Sequence, residues 1–270
     1  MDLAHIVAGW PGDPAVVVLR ADGGPAQVVA ALGDLDVERS WASVSKLAVA
    51  LAVGAEVDAG RVRYEDAAGP PGATVAHLLS HSSGLGLEAA DHRRAVGTRR
   101  VYSNVGIDLV AAALAPAGGP ARWIAERVLD PLGLGASSLT GRPAAGIRGS
   151  TRDLARLAAA FVDRSLLAPA THERIATPYL GDLDGVVPGF GRFAPCPWGL
   201  GPELHGGKQH WMAGWPARAL GHFGRSGALV LVDPVDQVAV VATSTVAFGP
   251  WAVAGWPAWL GQIRAGALEI

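Results

Sequence analysis

The sequence predicts an α+β fold: one antiparallel sheet flanked by helices, with a mainly helical lobe inserted between its strands. Three observations carry this. Short β-branched segments bounded by turn residues stand at both ends of the chain, helical patterns fill its middle, and one more helical pattern closes it. With 270 residues, half of them hydrophobic, the chain can bury a full core.

The elements follow in order. Residues 5–9, 15–20 and 27–32 read as antiparallel strands separated by the turn signals PGDP and DGG. Residues 43–59 are apolar on nearly every side, which suits a helix buried all round and ended by Gly60 just past its C-terminus. Asn104 can cap a helix running to Ala115, Pro120 can open another to Leu129, and Ser150 with Asp153 forms a capping-box pattern for residues 151–164. Residues 166–207 hold many Gly and Pro with little periodicity and read as loop. Strand signals return at 217–224, 228–233 and 237–243, the last two joined by a turn from Asp233 to Asp236. A final helix over 251–265 is expected to break or kink near Pro257. The expected division is an α/β lobe of about residues 1–60 and 208–270 and a helical lobe of about 61–207, with a cleft between them as the natural site.

Composition narrows the function. A net charge of -2, from 22 basic and 24 acidic residues, provides no broad field for nucleic acid or an anionic membrane, so a small molecule is the expected partner. Cys196 is the sole cysteine, which excludes an internal disulfide and a multi-cysteine metal site. Neither a dinucleotide fingerprint nor a P-loop occurs, and no cofactor is expected. Asp2 stands where a secretory signal carries basic residues, and the apolar run that follows breaks at Pro11–Pro14; the expectation is a cytoplasmic protein. Among the 22 basic residues only Lys46 and Lys208 are lysines. Lysine, unlike arginine, can lose its proton in a buried site, so both are candidates for function.

Three constellations hold chemistry. In Ser43-Val-Ser-Lys46 the two outer side chains project from one helix face a turn apart, so a neutral amine can take the serine proton during attack. An ordinary helix start with an exposed lysine is the alternative. Tyr102-Ser103-Asn104 places a phenol and an amide two residues apart, as a proton shuttle and a hydrogen-bonding group or simply as a turn and a helix cap. In Gly221-His-Phe-Gly-Arg-Ser-Gly227, Gly224 and Gly227 permit close backbone approach, and the next N–H can complete an oxyanion hole. His77 and His81 have the spacing of a zinc-protease pair, but Leu78 stands where the general-base Glu belongs.

Taken in order and spacing, these motifs resemble the serine β-lactamase and penicillin-binding-protein family, in its class C and esterase-like branch. The stretches HLLSHSSGLG at 77–86, PLGL at 131–134, GSTRDLARLAAAF at 149–161 and WGLG at 198–201 are similar to the family's as well. The resemblance implies a β-lactamase/transpeptidase-like fold with Ser43 as the acylated nucleophile, Lys46 as its base or proton relay, and Tyr102 as the second base. It implies Asn104 as the anchor for a substrate amide, His222 as the opening residue of the third motif, and the N–H groups of Ser43 and Arg225 as the oxyanion hole. It also assigns His77 and His81 to scaffold rather than metal. Phe223 departs from the pattern by replacing a small hydroxylated residue, which removes a donor for a substrate carboxylate. The expected activity is acyl-enzyme hydrolysis of an ester, amide or lactam, with a carboxylesterase ahead of a β-lactamase or D-alanyl peptidase. A noncatalytic relative that binds a ligand in the same cleft is the rival.

Overall fold

The computed structural model describes residues 1–89 and 94–270. Six strands form the main sheet: β1 (Ala15–Arg20), β2 (Gln27–Leu32), β8 (Glu203–Leu204), β9 (Leu220–Phe223), β10 (Leu229–Asp233) and β11 (Val238–Thr243). They lie in the order β2-β1-β11-β10-β9-β8, and every neighbouring pair is antiparallel. Strands from the two ends of the sequence therefore meet at its centre, where β1 pairs with β11.

The central strands are apolar at consecutive positions because helices cover both faces. Alternation sorts their side chains into two cores. Val17, Leu19, Val230 and Val241 pack with α2 (Ser45–Asp58) and α6 (Thr151–Val162). Val16, Val18, Leu229 and Val240 pack instead with Trp256, Leu260 and Ile263 of α8 (Pro250–Leu268). Each such fully buried Val or Leu contributes roughly 1.5–3 kcal/mol.

Between β2 and β8 the chain forms a short strand β3 (Arg39–Ser40), α2, α3 (Val75–Leu79), α4 (Asn104–Leu114) and α5 (Gly119–Ile124), which continues as a π turn over Ala125–Leu129. Then come β4 (Ser138–Leu139), β5 (Ile147–Gly149), α6, α7 (Pro169–Ala176) and the hairpin of β6 (Gly185–Val187) and β7 (Gly191–Phe193). β3, β5 and β4 make a separate small sheet.

Four sequence expectations need correction. Residues 5–9 are not a strand: the single-turn helix α1 (Leu3–Ile6) forms there, because the Asp2 carboxylate accepts from the His5 N–H at 3.1 Å and caps it. Asn104 does not cap α4. Ser103 does, its hydroxyl accepting from the Gly106 N–H at 3.0 Å, which releases the Asn104 carboxamide for other bonds. Residues 166–207 are not all loop, since α7, β6, β7 and β8 lie within them; each is too short for its periodicity to stand out, although Pro169 is a helix-opening signal. Finally, of the break or kink expected near Pro257, the break does not occur: α8 continues through it. The missing proline N–H strands the carbonyl four residues earlier, at Val253, which is 37% exposed and can turn to water.

α2 is held at its far end by a buried carboxylate. Glu56 accepts from the Trp123 indole at 3.0 Å and from Arg127 at 2.7 Å, and pairs with Arg61. Burial would raise its pKa, but these three donors outweigh it and hold the carboxyl at about 2. A depressed folded-state pKa contributes stability that is present above the unfolded value and is lost as pH falls through the folded one. Urea unfolding should thus lose about 2–3 kcal/mol between pH 5 and 2 through this group, and Glu56→Gln should flatten that part of the profile; an acid limb identical to wild type would refute the assignment.

Candidate active site

Ser43 lies in a 3₁₀ turn, Ala42–Val44, that leads directly into α2, not in the α-helical turn itself. Ala42 adopts φ 45°, a left-handed conformation that costs a non-glycine residue about 1–2 kcal/mol. The strain is local to the residue before Ser43, and packing imposes it: Trp41 is fully buried, and its carbonyl accepts from Val44 N. No sequence signal marks Ala42 for this role.

Lys46 is wholly buried, and its Nζ lies 3.3 Å from Ser43 Oγ, as the three-residue spacing predicts. The amine donates to Asn104 Oδ1 at 2.7 Å and to the Ala144 carbonyl at 2.8 Å. As an ammonium Nζ donates to all three oxygens; in its neutral form it has two hydrogens for Asn104 and Ala144 and a lone pair for the Ser43 hydroxyl. Burial lowers the Lys46 pKa to about 7, with Asp108 and Glu88 opposing the shift from a distance and Arg142 reinforcing it.

These partners form a closed circuit. Asn104 Nδ2 donates to Glu88 Oε1 at 2.6 Å; Glu88 pairs with Arg142; Arg142 donates to Asp108 at 2.6 Å; and Asp108 accepts from Ala144 N at 2.8 Å. Sequence reasoning missed Glu88, Asp108, Arg142 and Ala144. Only folding brings them together, and no short motif contains them.

Tyr102 is set by its neighbours. Two residues before it, the buried Arg100 guanidinium donates to the carbonyls of Ser80 and Cys196, both at 2.6 Å, and to those of Tyr179 and Leu180. The His81 carbonyl accepts from Val101 N at 2.8 Å, its Nδ1 accepts from Ser103 N at 3.2 Å, and its ring packs 4.5 Å from that of Tyr102. Burial holds His81 neutral. The HLLSHSSGLG stretch thereby acts as a clamp on the Tyr102 segment, and His77 meets Thr74 Oγ1 at 2.8 Å. Burial raises the Tyr102 pKa well above its usual value, with the Ser43 hydroxyl beside it opposing, so the phenol stays protonated.

β9 closes the site from the other side. In the pairing register His222 is opposite Val230, on the α2 face, whereas Phe223 is opposite Leu229, on the α8 face. His222 donates from Nδ1 to the Phe223 carbonyl at 2.8 Å, leaving Nε2 as an acceptor 3.5 Å from the Tyr102 hydroxyl. Burial, aided by Lys46, lowers its pKa to about 3, so this histidine is neutral and offers no cation. A Cβ at Gly224 would sit 2.5 Å from the Trp41 carbonyl and 3.2 Å from Ser43 N, which explains the glycine: β9 must end directly against the turn that presents Ser43. Arg225 follows, with its side chain exposed. A cavity of about 280 Å³ is bounded by Ser43, Tyr102, Asn104, His222, Arg225 and Glu88, with Phe223 and Phe248 forming an aromatic wall.

Lys208, the other lysine, is elsewhere. Its ammonium pairs with the buried Glu203 at 2.8 Å, and Glu203 also accepts from His210 and Trp211. Lys208 packs behind Trp198, 5.7 Å from the ring centroid, and that ring stacks edgewise on His81 and His222. It supports the site without entering it.

The β-lactamase family profile matches residues 40–261. The chain belongs to the β-lactamase family. A solved structure described as a β-lactamase from Mycobacterium bovis is 35% identical to this β-lactamase-family chain, with a TM-score of 0.92 over 99% of this chain and 100% of that one. A β-lactamase/D-alanine carboxypeptidase from Yersinia pestis, at 20% identity, has a TM-score of 0.78 over 98% of this chain and 96% of that one. EstCE1, described as a hydrolase with promiscuous acyltransferase activity, reaches 0.73 at 16% identity, with 98% and 96% covered. These last two share the fold. Among curated proteins no match is found. No helix among the described residues is long and apolar enough to cross a membrane.

The depressed Lys46 pKa has a thermodynamic signature. Between the folded value of about 7 and the ordinary 10.5, the unfolded chain binds a proton that the folded protein does not, so stability rises with pH across that window. Urea midpoints measured from about pH 7 to 9 should climb in the wild type and lose that slope in Lys46→Met. Parallel slopes would mean that Lys46 is charged when folded.

Proposed function

We propose that this protein is a serine hydrolase that works through an acyl-enzyme, with Ser43 as nucleophile and esters as its preferred substrates. The observation that carries the proposal is the setting of Lys46: its buried Nζ lies 3.3 Å from Ser43 Oγ, its other polar neighbours are the neutral oxygens of Asn104 and Ala144, and burial brings its pKa to about 7.

The chemistry follows. Ser43 Oγ attacks the ester carbonyl as its proton passes to Lys46 Nζ. The anionic tetrahedral intermediate accepts from the N–H groups of Ser43 and Arg225, a pairing supported by the close approach of Gly224 to Ser43 N. Collapse breaks the C–O bond; Tyr102 gives its phenolic proton to the departing alkoxide and regains one from the Lys46 ammonium. Water then attacks the acyl-Ser43 carbonyl, its proton leaving along the same pair, and the acid departs with Ser43 restored.

The corner around His222 supports esters over lactams. A penicillin or D-alanyl peptide presents a carboxylate that needs donors and positive charge, and a site lacking them disfavours it. Here His222 is neutral, Phe223 has no hydroxyl, and the Glu88 carboxylate borders the same cavity. Arg225, exposed at the rim, is the one cation on the cavity wall among the described residues.

Two measurements test this. Incubation with a fluorophosphonate should add one adduct by intact mass, and Ser43→Ala should abolish it with the melting temperature retained; an adduct that persists places the nucleophile elsewhere, and none in the wild type favours a ligand-binding relative. On one preparation, kcat/KM for a short-chain nitrophenyl ester should exceed that for a chromogenic cephalosporin by at least about tenfold. Equal rates would make Arg225 a working carboxylate anchor and overturn the ester reading.

A further inference from the structure

We propose that the uncharged groove beyond Phe248, between the β6–β7 turn and the start of α8, receives an apolar chain of the substrate, so that the protein favours esters with a long aliphatic chain over acetates. The proposal rests on the acyl-enzyme reading and names the class of ester that the same cavity takes.

Two hollows meet at one contact. The reaction cavity and a second groove of about 470 Å³ are both bounded by Gly189 and Phe248. The groove continues along Gly249, Pro250, Val253 and Ala254, so no residue of its wall carries a charge. This belongs to a longer pattern, since residues 237–263 contain no Asp, Glu, Lys, Arg or His. The backbone there has few free donors as well: Pro250 has no N–H, and those of Ala252 and Val253 return to the Gly249 carbonyl at 3.0 and 3.2 Å. Such a wall gives a charged or strongly polar group no partner, whereas an apolar group gains by leaving water against it.

The contact between the hollows is built. The Phe248 ring lies 4.9 Å from that of Phe223, 5.3 Å from that of Trp256 and 5.8 Å from that of Phe190, centroid to centroid. Gly189 has φ 83°, and a Cβ there would sit 2.5 Å from Phe248 Cε1, so glycine is what lets the β6–β7 turn reach the ring. Beyond it Val253 and Ala254 stand exposed on the first turns of α8. A chain that leaves the reaction cavity past Phe248 covers these two side chains, and none of the groups that react with the ester carbonyl lies along that path.

Two pairs of esters give the test. Nitrophenyl octanoate against nitrophenyl acetate lengthens the acyl half; octyl acetate against ethyl acetate, followed by acid release, lengthens the alcohol half. In the wild type one pair should show kcat/KM at least about tenfold higher for the long chain, which also tells which half lies in the groove. Val253→Asp and Ala254→Asp each set a charge in the groove, at a helix N-terminus that tolerates a carboxylate, and should cut that ratio about tenfold. Val235→Asp, in the exposed turn between β10 and β11 at the other end of the sheet, should leave it unchanged. With fluorophosphonate labelling intact, a wild type without chain preference in either pair overturns the groove assignment alone, as does a preference that both groove variants retain. A wild-type dimer that Val253→Asp splits on size exclusion, with the ratio unmoved, overturns it in favour of a contact between copies. Absent labelling in the wild type overturns the hydrolase reading and this proposal with it.

Discussion

A lysine buried without a carboxylate against it is the constraint on which this site depends. Lys46 touches the neutral oxygens of Asn104 and Ala144, while the nearby acids Glu88 and Asp108 spend their charge on Arg142. Either acid moved against the amine would favour its charged form and raise its pKa. Lys208 is placed differently within the same chain: also buried, it meets the Glu203 carboxylate directly at 2.8 Å, away from the cavity. What matters is whether the counter-charge arrives at first or second hand.

Much of this was legible in the sequence, and the reason differs by element. The central strands show because covered faces demand unbroken apolar runs, and the helix after Ser43 because it is buried all round. Ser43 and Lys46 show because a helix start fixes their relation over three residues. Glu88, Asp108 and Arg142 do not show, since their relation exists only after three separate segments have packed; as isolated letters they are surface charges. Ala42 is invisible for another reason, because its strain is imposed by tertiary packing and not chosen by its side chain. The strand expected at residues 5–9 failed where one capping carboxylate outweighed a short apolar pattern.

The same distinction holds for the segment around Tyr102. HLLSHSSGLG stands out in the sequence as a motif, but only the fold explains it: His81 grips the backbone on both sides of Tyr102, and Arg100 ties four carbonyls from three separate segments. Those histidines are scaffold because the Nδ1 of each bonds the chain itself, His77 to Thr74 and His81 to Ser103, and both carbonyls accept from backbone N–H groups. Burial thus keeps His222 neutral beside the phenol and brings the Lys46 amine to a pKa of about 7.

The alternation along β9 and its neighbours divides the protein into two cores served by one sheet. His222 belongs to the α2 side with Ser43 and Lys46, and Phe223, the very next residue, belongs to the α8 side with Trp256 and Phe248. Heritable change can therefore accumulate unequally. Trp256, Leu260 and Ile263 beneath α8 lie away from the cavity, whereas Phe223 and Phe248 belong to that core and to the cavity wall at once, so change at those two reaches both.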